Sequence, residues 1–276
     1  MYERRSHEVT CPVCQRATRA IGRETAHRLR LCPGCGHRVV EEDASTLTQL
    51  YHEDYAGFSV DQVFQANVSR FMTSELLPRI GPGAMVLDVG CGNGAVLDAV
   101  NAAGMSATGI DISEAAVASC RRRGLDATVG DFPTHPFTRD AFDAITFWDV
   151  VEHLPDPRRF ITRAARLLRP GGWLLIKVPG HGMLSVLASA LVPRMAGPLL
   201  QVPHHVQLFT RASLTALLGA DFEQLEWLDH AAMRAQTRGG TLKRRVGRML
   251  VRWVTAASGD GNLVVLARRR GAPLVA

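Results

Sequence analysis

Four of the six cysteines fall into two pairs, Cys11-Pro12-Val13-Cys14 and Cys32-Pro33-Gly34-Cys35, with 17 residues between them. Two thiolates separated by two residues can grip one tetrahedral metal ion, and a second pair at this spacing completes a zinc site. Such a site is closed, so its metal is structural, and a segment this small needs the metal to hold its shape. Arg28-Leu29-Arg30-Leu31, just before the second pair, suits a strand of a zinc ribbon. His37 is a substitute ligand, but the four thiols suffice.

A second set of residues suits a nucleotide. Asp88-Val89-Gly90-Cys91-Gly92-Asn93-Gly94 ends an apolar run and opens into a helical stretch. Glycines there allow a tight turn and let a ligand approach the backbone. Asp111 follows 19 residues after Gly92, at the end of a second apolar run, placed to accept from both ribose hydroxyls. Asp131 ends a third run, where a carboxylate can accept from an adenine amino group. A nicotinamide dinucleotide calls for G-x-G-x-x-G, and an acid beside the loop would repel its pyrophosphate. Asp88 suits a cationic ligand, which favours S-adenosylmethionine (SAM), with its sulfonium and ammonium.

The elements that must hold these residues alternate. Short apolar runs at 85–90, 107–111, 127–131, 142–149 and 173–178 alternate with helical stretches at 95–103, after the cap Ser113-Glu114, and at 157–169. Five strands alternating with helices predict an open, mostly parallel α/β sheet. A helix at 210–219 and the runs Phe222–Leu228 and Asn262–Ala267 extend it. Val60, Val63, Phe64, Val68, Phe71, Met72 and Leu76 predict an additional helix that closes at Pro78.

The ordered stretches Val86–Gly94, Gly109–Ser113, Gly130-Asp131-Phe132, Phe142–Ile145, Asp149–Pro157 and Leu167–Gly172 resemble the class I SAM-dependent methyltransferases over residues 80–180. The resemblance implies a Rossmann-like seven-stranded sheet whose last hairpin comes from the two C-terminal runs. It assigns Asp88, Gly90, Cys91, Gly92, Gly94, Asp111, Ile112, Asp131, Phe132 and Asp149 to the cofactor. The glycines lie under its methionine part, Asp111 on the ribose, and Asp131 with Phe132 at the adenine.

Methyl transfer needs alignment and dryness, and a base only for a protonated acceptor. Two histidines are candidate bases. His153 lies in Asp149-Val150-Val151-Glu152-His153, where the family reading is either a structural histidine or, as in ubiquinone-biosynthesis O-methyltransferases, a divalent-metal site formed by Asp149, Glu152 and His153. His205, in Pro203-His204-His205, resembles a Pro-x-His segment at the mouth of the pocket; the alternative is a histidine that packs the following helix. Tyr51 and Tyr55 resemble a pocket-closing segment or are plain packing residues.

The domain organisation expected is a zinc-ribbon module at 1–40, a connector and capping helix at 41–80, and a SAM-binding methyltransferase domain at 81–276. The last carries a lid-like insert at 180–204 and a basic helical insert at 232–258. Residues 183–200 hold one charge, Arg194, and 241–256 form a basic amphipathic pattern. Each reads as a membrane-surface element or as a piece docked on its own domain. The 276 residues are 46% hydrophobic and 21% charged, which excludes a disordered or fibrous chain. No apolar run spans a bilayer and no secretory signal is visible, so a cytoplasmic protein, peripheral to a membrane through those inserts, is expected. The net charge of +6 suggests nucleic acid. The basic residues, however, crowd residues 1–40, 230–259 and 268–270 around an acidic middle that holds the nucleotide residues. A small-molecule acceptor, a hydroxyl or amine of a sugar, lipid-linked intermediate or secondary metabolite, is therefore preferred to the alternative, an rRNA or tRNA base.

Overall fold

The structure is a computed structural model and describes residues 9–21, 28–41, 62–181, 204–228 and 261–271. Tyr51, Tyr55, the body of the apolar insert and the basic helical pattern lie outside the described residues.

The chain opens with three short antiparallel strands, β1 (Arg19–Ile21), β2 (Arg28–Leu31) and β3 (Arg38–Glu41). Helix α1 (Gln62–Phe71) runs through a π turn at Met72–Leu76 into the short α2 (Leu77–Ile80). The helical pattern thus passes beyond Pro78. Proline lacks an amide N–H, and it sits here in the first turn of α2, where none is needed.

The alternating elements follow as β4 (Met85–Val89), α3 (Ala95–Ala102), β5 (Ser106–Asp111), α4 (Glu114–Arg122), β6 (Ala127–Val129) and β7 (Phe142–Trp148). Helix α5 (Pro157–Leu167) and β8 (Leu168–Pro179) come next. This helix ends two residues earlier than its apolar pattern suggests. The strand begins at once, with a bulge opposite Phe142–Ala144 that takes up Pro170-Gly171-Gly172. The last elements are β9 (Gln207–Leu208), α6 (Arg211–Leu218), β10 (Phe222–Leu228) and β11 (Asn262–Arg269).

Seven strands form one sheet in the order β10-β11-β8-β7-β4-β5-β6. Strands β4 to β8 are parallel to their neighbours, and β11 runs antiparallel between β8 and β10. Successive side chains point to opposite faces. Leu87, Ile145 and Leu174 therefore join Ile161, Leu167 and Leu214 in one core layer. Val86, Ala144 and Leu175 join Val68, Phe71 and Val96 in the other. Strand order reverses between β4 and β7, and in such sheets a ligand site forms at the carboxyl ends of the strands flanking the reversal.

One pairing lies outside the sequence expectation. The outer edge of β3 is taken by β9, so that β1, β2, β3 and β9 make a second sheet of four strands. The ribbon is joined to the segment that carries His205. Cys11, Val13 and Cys32 are buried in the same core layer as Ile161 and Leu214, and the Arg158 guanidinium of α5 donates to the Val13 carbonyl.

Candidate active site and cysteine cluster

The turn after β4 is built from glycine. Gly90 adopts φ +71°, a left-handed conformation, and a Cβ added to it would stand 2.5 Å from Val150 Cγ2. Gly92 is also left-handed, at φ +49°, but a Cβ there would meet nothing within 4 Å. The loop is thus tight underneath and open on the outside, where a ligand can lie against the backbone. Asp111 at the end of β5 is buried, and its two carboxylate oxygens accept from the N–H groups of Gly92 (2.8 Å) and Ser113 (2.9 Å). Burial raises its carboxyl pKa, while the N–H groups of Ser113, Gly92 and Ile112 oppose the rise. Ser113 then caps α4 by accepting from Ala116 N–H at 3.2 Å, in agreement with the sequence pattern.

Asp88 is fully buried beneath the loop and accepts from the Thr146 hydroxyl at 2.5 Å. Burial pushes its carboxyl up to about 7, with the nearby Asp111 adding to the effect. The Cys91 side chain is buried under the loop, its Sγ 2.7 Å from where a Cβ on Gly109 would stand. Asp131 is exposed after β6, with the Thr134 hydroxyl donating to its carboxylate at 2.9 Å.

The residues expected at the adenine end need a correction. Phe132 is only 2% exposed and packs edge-on against Phe147, with ring centroids 5.7 Å apart. Its ring is committed to the core. The apolar side chain offered beside Asp111 is Ile112, which is 52% exposed. This loop fits SAM: an open backbone turn, a buried carboxylate at the ribose position, a second acid under the cationic end and an exposed apolar side chain.

Asp149 ends β7 with φ +54°, and both of its carboxylate oxygens pair with the Lys177 ammonium of β8. The chain then turns through Val150, which touches Gly90, into the 3₁₀ turn Val151–His153. Glu152 is completely buried, and neither of its carboxylate oxygens has a hydrogen-bond partner. Burial drives its pKa well up, and the negative charge of Asp149 adds to that. His153 Nδ1 is 2.8 Å from the His204 carbonyl, which leaves Nε2 directed at Glu152 Oε1, 3.9 Å away. The ring of His205 lies 4.9 Å from that of His153, and the ring of His181 lies 5.9 Å from His205.

The metal set implied by the family resemblance is therefore altered. Lys177 occupies Asp149, and the donors that lie within 4.8 Å of one another belong to Glu152, His153 and His205. Burial lowers the pKa of His153, and it brings His205 down to about 3 with help from the positive fields of His153, His181, His204 and Lys177. Both rings are neutral at physiological pH. Lys177 was missed in the sequence, although a lone charge inside Leu174–Val178 was the signal for it.

The four cysteines converge. Cys11 Sγ is 3.7 Å from Cys35 Sγ, Cys14 Sγ is 3.3 Å from Cys32 Sγ, and all four sulfurs lie within 4.8 Å of one another. A tetrahedral zinc with bonds of about 2.3 Å would hold its sulfurs about 3.8 Å apart, so the cluster fits that ion. His37 is turned away from the cluster: its Nε2 meets Gln207 Oε1 at 2.7 Å.

A seven-stranded sheet with this order, a glycine turn after its first strand and an acid ending its second defines the class I SAM-dependent methyltransferases. A family model described as a methyltransferase domain matches residues 62–225, and the chain belongs to that family. It is 32% identical over 172 residues to the ubiquinone biosynthesis O-methyltransferase of Xanthomonas campestris pv. campestris (strain B100), covering 58% of this chain and 67% of that relative. The Bordetella avium (strain 197N) protein of the same name is 32% identical over 124 residues, 41% of this chain and 52% of the relative. Among solved structures, Haemonchus contortus phosphoethanolamine N-methyltransferase 2 with bound S-adenosyl-L-methionine is similar at a TM-score of 0.55 and 18% identity, over 82% of this chain and 57% of that one. The complex of the Haloferax volcanii Trm112 methyltransferase activator with a methyltransferase gives 0.59 at 20% identity, over 83% of this chain and 99% of that one. The protein is a SAM-dependent methyltransferase. Among the described residues, no helix is long and apolar enough to cross a membrane.

Proposed function

We propose that this methyltransferase moves the SAM methyl group to a hydroxyl oxygen of a small-molecule acceptor bound over the carboxyl ends of β7 and β8. One observation carries the reading. The turn that begins at Val150, in contact with the cofactor loop, presents a buried cluster of Glu152, His153 and His205 beside that loop. The O-methyltransferase names of the Xanthomonas and Bordetella relatives support oxygen over nitrogen as the acceptor atom.

The acceptor oxygen attacks the methyl carbon in line with the sulfur. The sulfonium leaves as a neutral thioether and the hydroxyl proton must go elsewhere. His205 and His153, both neutral, are the proposed proton acceptors. An imidazole whose pKa is as low as that of His205 takes a proton efficiently only from an acidified hydroxyl. Glu152 favours a second reading of the same cluster. A buried carboxylate without hydrogen bonds, next to two neutral imidazoles, is a donor set for a divalent cation, which would lower the pKa of an acceptor hydroxyl. Zinc in the four-cysteine cluster has a structural role in this proposal.

Release of S-adenosylhomocysteine under saturating SAM tests the reading. Hydroxylated small molecules should support turnover, and His205→Ala and His153→Ala should lower it by about 100-fold or more. Full turnover in both variants removes the histidines from the chemistry. Methyl transfer to RNA with a steep salt dependence overturns the small-molecule assignment. Manganese paramagnetic resonance separates the two readings, because Glu152→Gln abolishes ion binding only if the cluster holds a cation.

A further inference from the structure

The cysteine module does more than hang from the methyltransferase sheet. Its third strand pairs with β9, bringing Arg38 opposite Leu208 and Val39 opposite Gln207. Two hydrogen-bonded relays run from there into the turn that carries Glu152 and His153. In the first, Val40 N–H donates to the Val206 carbonyl at 2.9 Å, and Val206 N–H donates to the Glu152 carbonyl at 3.0 Å. In the second, Cys32 N–H donates to the His37 carbonyl at 2.8 Å, and His37 Nε2 donates to Gln207 Oε1 at 2.7 Å. Gln207 Nε2 then donates to the Leu154 carbonyl at 2.9 Å. His37 and Gln207 are both about 1% exposed, so each bond is made in a dry setting where leaving a partner unmatched is costly. The His37 ring also packs on Phe209, with centroids 4.9 Å apart. Residue 205, a proposed proton acceptor, directly precedes the strand that both relays grip. Among the described residues, no hydrogen bond joins the module to the glycine loop, Asp88, Asp111 or Asp131.

The attachment is therefore one-sided: it reaches the acceptor half of the site and bypasses the cofactor half. We infer that the cysteine module is a positioning arm for the acceptor half, with His37 and Gln207 as the residues that transmit the placement of the cysteine cluster to His205 and to the Glu152–His153 turn. This rests on the assignment of those histidines to the acceptor proposed above. The arm acts only through backbone and side-chain placement; neither His37 nor Gln207 touches substrate. The fold has a reason to need such an arm. The Val151–His153 turn is a single 3₁₀ turn and β9 is two residues long, and elements so short hold little position of their own.

The test uses the full chain, zinc-loaded, as the unaltered protein and as His37→Ala, His37→Gln and Gln207→Ala variants. The readouts are zinc content, S-adenosylhomocysteine affinity by calorimetry, and amide hydrogen exchange by segment. His37→Ala and Gln207→Ala should speed exchange in residues 204–209 and 151–154 by about tenfold, the equivalent of one lost buried hydrogen bond. Exchange across residues 88–94, and the affinity for S-adenosylhomocysteine within about twofold, should stay as they were. His37→Gln keeps an N–H donor and should restore much of the protection. Unchanged exchange in 204–209 and 151–154, or loss of S-adenosylhomocysteine affinity in step with that exchange, overturns the inference. If His37→Ala sheds its zinc, Gln207→Ala, which lies outside the module, decides the question by the same exchange measurement. Failure of the unaltered protein to bind S-adenosylhomocysteine would instead strike at the cofactor assignment, a result separable from these.

Discussion

The Asp111 carboxylate accepts the N–H of Gly92 at 2.8 Å, across 19 residues of sequence. One side chain thereby fixes the shape of the cofactor loop and faces the ribose position. Asp111→Asn should lower S-adenosylhomocysteine affinity by about tenfold to 100-fold, about 1.4 to 2.7 kcal/mol, because the amide cannot accept from both the loop and a ribose hydroxyl. Calorimetry checks this, and unchanged affinity refutes the ribose role.

Gly90 meets two demands at once, a left-handed backbone and the close approach of Val150. Gly90→Ala should cost about 1–3 kcal/mol of stability in urea unfolding. Adding Val150→Ala should recover only the part due to the clash. Full recovery would show that the positive φ carries no strain.

Asp88 makes stability depend on pH. Its pKa is about 7 in the folded protein and an ordinary value near 4 when unfolded. Between those values the folded state holds the extra proton, so stability falls as pH rises through the window, by up to about 1.4 kcal/mol per unit. The contribution is fully present below about pH 4 and is lost above about pH 7. Asp88→Asn keeps an acceptor for Thr146 and should flatten this slope relative to the unaltered protein in urea melts at pH 5 and pH 8. Parallel curves for the two proteins would contradict the raised value.

Metal analysis should find about one zinc per chain. Cobalt substitution should give the strong near-ultraviolet charge-transfer absorption of a four-thiolate site, and Cys14→Ser or Cys32→Ser should weaken it. Absence of bound metal in freshly purified protein would remove the zinc assignment.

Much of this was legible in local sequence. The cap Ser113, the strand-turn-helix around Gly90–Gly94, the acid ending β5 and the two cysteine knuckles each depend on residues close along the chain. Their geometry follows from backbone rules that act at short range. The seven-stranded sheet was legible too, because alternating apolar runs and helices admit few topologies.

Other features were set by residues far apart. Phe132 sits beside Asp131 in sequence, yet its ring goes into the core because Phe147 and Phe160 make room for it. Asp149 looks like a free ligand until Lys177, on the neighbouring strand, neutralises it. His205 is 52 residues from His153, and only the docking of β9 brings their rings to 4.9 Å.

The sequence by itself determined the class of protein, the cofactor loop and the cysteine cluster, since each is written in spacing along one stretch of chain. The tertiary structure decided which side chains share the acceptor site, and that the cysteine module is built into its wall. Those depend on strand pairing and desolvation between segments more than 100 residues apart, as for His37 and Gln207.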